Sequence, residues 1–159
     1  MAKVAPRDSV ILFSGQRDGA FVLNMRARED RRDLSILRAD KLLLKVAIKR
    51  ELGLEQKQLS GGNISDAING LGIYYVVAQP GFWDDLEIMR RFEAVLKSSQ
   101  FTVVARFPLR ANFPAPDKEL FVYQNLGPVA QGPVLFDLDL PMINRKITAS
   151  MGVREKASP

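Results

Sequence analysis

Ser60-Gly-Gly-Asn-Ile-Ser-Asp-Ala-Ile-Asn-Gly-Leu-Gly-Ile-Tyr-Tyr-Val-Val-Ala78 sets two periodicities end to end. Ile64, Ala67, Ile68 and Leu71 recur at the three- and four-residue spacing of a helix face, with Asn63 placed to cap its start and Gly72 to end it. The run Ile73–Ala78 follows without a linker and is apolar throughout, as in a strand buried on both faces. A helix that feeds directly into such a strand is the second half of a crossover, because parallel strands cannot be joined by a short turn. This stretch therefore predicts an α/β fold.

Toward the amino terminus, Ser9-Val-Ile-Leu-Phe-Ser14 reads as another fully buried strand, stopped by Gly15. Asp18 can cap a helix from about Gly19 to Ala27, and Leu34–Arg38 reads as a second strand. Lys41–Leu52 suits a helix through Leu43, Leu44, Ala47, Ile48 and Leu52, and a strand through the alternation of Val46 and Ile48 with lysines. Leu52-Gly53-Leu54 resembles a glycine-capped helix end, and favours the helix.

Toward the carboxyl terminus, Pro80-Gly81 breaks the central strand, and Asp84 with Glu87 has the spacing of a capping box. The helix it would open, over residues 85–98, aligns Ile88, Met89, Phe92, Val95 and Leu96 in one stripe. Phe101–Phe107 alternates as a strand. Beyond Pro108 the prolines separate only strand-like pieces, Leu120–Tyr123 and Val134–Leu140, with Leu109–Lys118 as an excursion at a sheet edge. The expectation is a single α/β domain over residues 1–150: a mixed sheet with amino-terminal βα units, an antiparallel all-β extension and a frayed tail at 151–159.

The chain has 159 residues, one domain's worth, and neither Cys nor His. Disulfides, imidazole or thiolate metal sites and Ser-His-Asp or Cys-His catalysis are thereby excluded. The formal charge is +5. Arg26, Arg28, Arg31 and Arg32 are nevertheless interleaved with Glu29, Asp30 and Asp33, which reads as a solvated face and not a basic stripe. No run approaches the roughly 20 apolar residues of a membrane span, and Met1–Arg7 has no hydrophobic signal core. The chain as given is expected to be soluble, and the missing cysteines do not fix its compartment.

Several local groupings could carry chemistry. Gly15-Gln-Arg-Asp-Gly19, between a strand and a helix, is placed to hold phosphate on backbone amides, yet it lacks both the dinucleotide fingerprint and the P-loop ending, so an ordinary βα turn is its plainer reading. Arg38-Ala-Asp-Lys41 lies where open α/β sheets bind ligands, and Asp40 reads equally as a helix cap. Phe82-Trp83 could stack on a sugar ring or staple the following helix. Asp137 and Asp139 share a strand face and fit a wet edge better than an acid–base pair. Tyr74, Tyr75 and Tyr123 belong to no nucleic-acid motif, and no nucleic-acid partner is expected. Carboxyl ends of parallel neighbours lie along one sheet edge, so Gly15–Gly19 and Arg38–Lys41 should approach each other there. Arg17, Asp18, Arg38, Asp40 and Lys41 are the candidate ligand-binding residues, with the three cations facing an anionic group.

Val10–Arg26, with its Asp18-Gly-Ala-Phe21, Arg31–Leu43, with its Arg38-Ala-Asp-Lys41, and the strands Gly72–Val77, Phe101–Leu109 and Leu120–Tyr123 together resemble the soluble region that follows the membrane helices in bacterial glycosyltransferases of the dolichyl-phosphate-mannose mannosyltransferase type. The resemblance covers roughly residues 8–147. It implies an extracytoplasmic, periplasmic accessory domain without catalytic residues or a cofactor of its own, partnered by the membrane helices or by a polyprenyl-phosphate sugar headgroup. The contrasting expectation is a free-standing α/β binding module for a nucleotide or other anionic ligand.

Overall fold

The computed structural model describes residues 5–46, 50, 53–109, 118–130, 134–140 and 145–151. The chain runs β1 (Val10–Ser14), α1 (Asp18–Arg26), a 3-10 turn (Glu29–Arg31), β2 (Ser35–Arg38), α2 (Ala39–Leu43), β3 (Leu44–Val46), β4 (Leu54–Gln56), α3 (Gly61–Gly70), β5 (Ile73–Ala78), α4 (Glu87–Leu96), β6 (Phe101–Leu109), β7 (Lys118–Asn125), β8 (Val134–Leu140) and β9 (Arg145–Met151). A five-stranded sheet has the order β2-β1-β5-β7-β6. β1 is parallel to both β2 and β5, whereas β5–β7 and β6–β7 are antiparallel. This is the expected α/β class with an antiparallel extension. The pairs β3–β4 and β8–β9 form separate two-stranded sheets.

All five residues of β1 are buried, because helices cover the sheet on two sides. Ile11, Phe13, Tyr75, Val77 and Val122 face the side where Phe21 and Met25 of α1 pack. Val10, Leu12, Val76 and Tyr123 face the other, against Leu43 of α2, Ile64 and Ile68 of α3, and Met89 and Phe92 of α4. The α4 stripe Ile88, Met89, Phe92, Val95 and Leu96 is buried as its spacing required. Among the described residues no helix is long and apolar enough to cross a membrane.

Local details differ from the sequence expectation. Helix over 41–52 gives way to the five-residue α2, after which Leu44 turns extended and β3 pairs antiparallel with β4. The Lys57 amide bonds to Leu43 O and its ammonium to Leu42 O, which ends α2 from outside the helix. Gly53, at φ +140°, donates its amide to Arg50 O at 3.2 Å and leads into β4; the residues that would form the helix end before it lie outside the described set. Ala47, Ile48 and Leu52 lie outside the described residues. Ser60, not Asn63, caps α3; its hydroxyl accepts the Asn63 amide while Asn63 Oδ1 accepts the Ser60 amide, a reciprocal box shifted by three positions. Asp84 and Glu87 form no box: α4 starts at Glu87 behind Leu86, without a side-chain cap. Asp84 instead offers its carbonyl to Arg90, and Asp85 pairs with Arg50.

β9 answers no sequence expectation and takes Met151, the first residue of the expected frayed tail, into a strand through its pairing with β8; residues 152–159 lie outside the described set. So do residues 110–117 of the expected edge excursion and the side chains of Asp137 and Asp139.

Candidate functional site

The sheet order places a switch point at the carboxyl end of β1: the chain leaves β1 toward β2 on one side, while β5 lies on the other. Loops diverging from such a point open a crevice above the strand ends. Here it has a volume of about 220 Å³. Phe13, Ser14, Gly15, Gln16 and Asp18 form one wall, Arg38 and Asp40 a second, and Phe82 with Trp83 from the loop after β5 a third.

Backbone contacts hold the loops together. The Gln79 amide donates to Ser14 O at 2.7 Å, and Gln79 Oε1 accepts the Gln16 amide at 3.3 Å. A Cβ on Gly15 would meet Phe13 Cζ at 3.2 Å and Gln79 Cβ at 3.3 Å, so the close approach of these two loops favours glycine at this position. Trp83 adopts φ +56°, left-handed for a bulky residue, and stacks on Phe82 with ring centroids 4.8 Å apart. The Arg50 guanidinium lies 5.6 Å from the Trp83 ring and is ion-paired to Asp85.

Arg38 is the electrostatic centre. Its Nε and Nη2 donate to the two oxygens of Asp40 at 2.9 and 2.7 Å, a bidentate fork, and its Nη1 is 2.6 Å from Asp18 Oδ2. Desolvation works against the Arg38 charge, but the hydrogen bonds and negative charge of Asp40, joined by Asp18, outweigh it and raise the guanidinium above its ordinary value. Asp40 is buried at 7% side-chain exposure, whereas Asp18 and Arg38 reach solvent at 30% and 43%.

Of the candidate residues, Asp18, Arg38 and Asp40 meet in this crevice, as expected from parallel strand ends. Lys41 stands behind it, 3.9 Å from Asp40, and Arg17 is exposed as the residue before α1; neither lines the crevice. Neither aspartate caps a helix, since Arg17 and Arg38 occupy the cap positions of α1 and α2 and both aspartates bond Arg38. The lining by Ser14 and the loop-tying Gln79 went unread in the sequence, where only the register of β1 beside β5 could have singled them out.

A guanidinium set between two carboxylates gives the crevice donors and acceptors side by side, and the aromatic pair adds an apolar wall. Such a site can bind and orient a ligand. Comparisons of the chain with protein-family models, with curated proteins and with solved structures find no match.

Proposed function

We propose that the chain is a non-catalytic accessory domain of a membrane glycosyltransferase, and that its switch-point crevice receives the polar headgroup of a polyprenyl-phosphate sugar. One observation carries the proposal. Asp18-Gly-Ala-Phe21 and Arg38-Ala-Asp-Lys41, the segments with the most specific resemblance to those enzymes, come together through the Asp18–Arg38 ion pair at the mouth of a crevice. A volume of about 220 Å³ lies below the usual range for larger ligands and suits a single ring or headgroup better than a whole dinucleotide. A periplasmic location accompanies the proposal.

The test is thermal unfolding of the purified chain with a water-soluble short-chain polyprenyl-phosphate hexose, alongside a transfer assay. A ligand that binds only the folded state raises Tm by mass action. The expected result is a rise in Tm, lost in Arg38→Ala, with no sugar transferred. Transfer by the chain alone would overturn the accessory role.

The alternative of a free-standing nucleotide or anion module draws on the amino end of α1, which has no side-chain cap and opens beside the crevice. A tight nucleotide complex there, with no response to the lipid-linked sugar, would establish it instead.

A further inference from the structure

We infer that the crevice selects neutral, multiply hydroxylated rings and rejects phosphate, so that the sugar of a headgroup, not its phosphate, is what the crevice takes. This rests on reading the crevice as the ligand site. A phosphate oxygen brought to Arg38 meets the carboxylates of Asp18 and Asp40, which engage each of its three nitrogens at 2.6–2.9 Å and leave two of its five N–H groups. An ammonium would meet the guanidinium. A hydroxyl both donates and accepts, so a pair of neighbouring hydroxyls can donate a hydrogen bond to an aspartate oxygen and accept one from an arginine N–H in the same plane. The C–H face of a ring then has Phe82 and Trp83 to pack against.

The pairing also places the selectivity in one replaceable atom. Asp18 is the partly exposed carboxylate and Asp40 the buried one. Asp18→Asn keeps the shape, removes one negative charge and leaves Arg38 Nη1 with at most a neutral acceptor at that position.

Trp83 is the only tryptophan in the chain, so its fluorescence reports on the crevice alone. The folded chain is titrated with methyl α-mannopyranoside, methyl α-glucopyranoside, D-ribose, inorganic phosphate and pyrophosphate. The expected result is a saturable change with at least one of the polyols and none with phosphate or pyrophosphate at equal ionic strength. Asp18→Asn should weaken polyol binding by about tenfold or more, the loss of one charge-assisted hydrogen bond, and gain a response to pyrophosphate. Far-ultraviolet circular dichroism confirms that the variant is folded. Pyrophosphate binding to the native chain without a polyol response would overturn the selectivity and leave the crevice as a ligand site. Silence of Trp83 toward every probe, with no Tm response to the lipid-linked sugar, would overturn both. An Asp18→Asn variant that binds polyols as the native chain does would remove the hydroxyl-matching role.

Discussion

Arg38 Nη1 and Asp18 Oδ2 stand 2.6 Å apart and tie the carboxyl end of β2 to the first residue of α1. α1 buries none of its residues completely, so its seat on the sheet depends on few contacts, this pair and the stacking of Phe21 on Phe13 among them.

Arg38→Ala is expected to be the costlier change at this junction. It leaves the Asp40 carboxylate buried without its fork, a loss of about 1–3 kcal/mol. Asp18→Asn disturbs only a partly exposed pair and should cost less than about 1 kcal/mol. Urea unfolding of both variants gives the comparison. Equal losses would mean that Asp40 does not depend on Arg38.

Phe92 is 2% exposed within the core that α4 shares with β1, β5 and β7. Phe92→Ala should destabilise by about 3–5 kcal/mol. Glu87→Ala, on the exposed side of the same helix, should stay within about 0.5 kcal/mol. A loss under 1 kcal/mol at Phe92 would mean that α4 presents another face to the sheet.

Two glycines should respond with opposite signs. At Gly127 a Cβ would come within 2.9–3.1 Å of Gln100 Nε2, Asn69 Oδ1 and Asn125 Oδ1. These amides bond one another, and Asn125 also takes the Gly127 amide. Gly127→Ala should break part of this network and cost about 1–2 kcal/mol. At Gly70, the last residue of α3, nothing lies within 4 Å of the new Cβ, and Gly70→Ala should stabilise by about 0.5–1 kcal/mol. Thermal melts of the pair decide the signs.

The acid limb of stability should trace to Asp33. The Arg31 side-chain hydrogen bond, outweighing burial and helped by the Asp8 amide, holds this carboxyl at about 2, below its ordinary 3.8. A folded-state pKa below the unfolded value means stability that is present above about pH 4 and lost as pH falls toward 2. Asp33→Asn should lower stability at neutral pH and flatten the loss in that window. A native acid limb that persists unchanged in the variant would assign it to other carboxylates.

The sequence revealed what depends on long, unbroken patterns. Ile73–Ala78 could be read because both its faces are apolar, and α4 because its stripe runs the helix's full length. β3 and β4 could not, since three residues of alternation at Leu44–Val46 are outweighed by a longer helix-like spacing, and only pairing with Leu54–Gln56 decides the matter. β9 depends in the same way on its partner, since only its antiparallel register with β8, from Met151 opposite Val134 to Arg145 opposite Leu140, makes it a strand. The meeting of Asp18 with Arg38 followed from strand polarity. That Arg38 is held by two carboxylates at once did not, because its fork is aimed by side-chain geometry that spacing along the chain does not encode.

The position of β1 also has a consequence for the order of assembly. Val10 lies beside Ser35, 25 positions along, and beside Ile73, 63 positions along. During synthesis β1 and β2 can associate early, and β6 with β7 can close late as a neighbouring hairpin, but β5 must join these two halves across the longer closure. Until Ala78 has emerged, one flank of β1 has neither backbone partner nor cover. A fragment ending before Ala78 should therefore aggregate through that flank, not persist as a smaller folded unit.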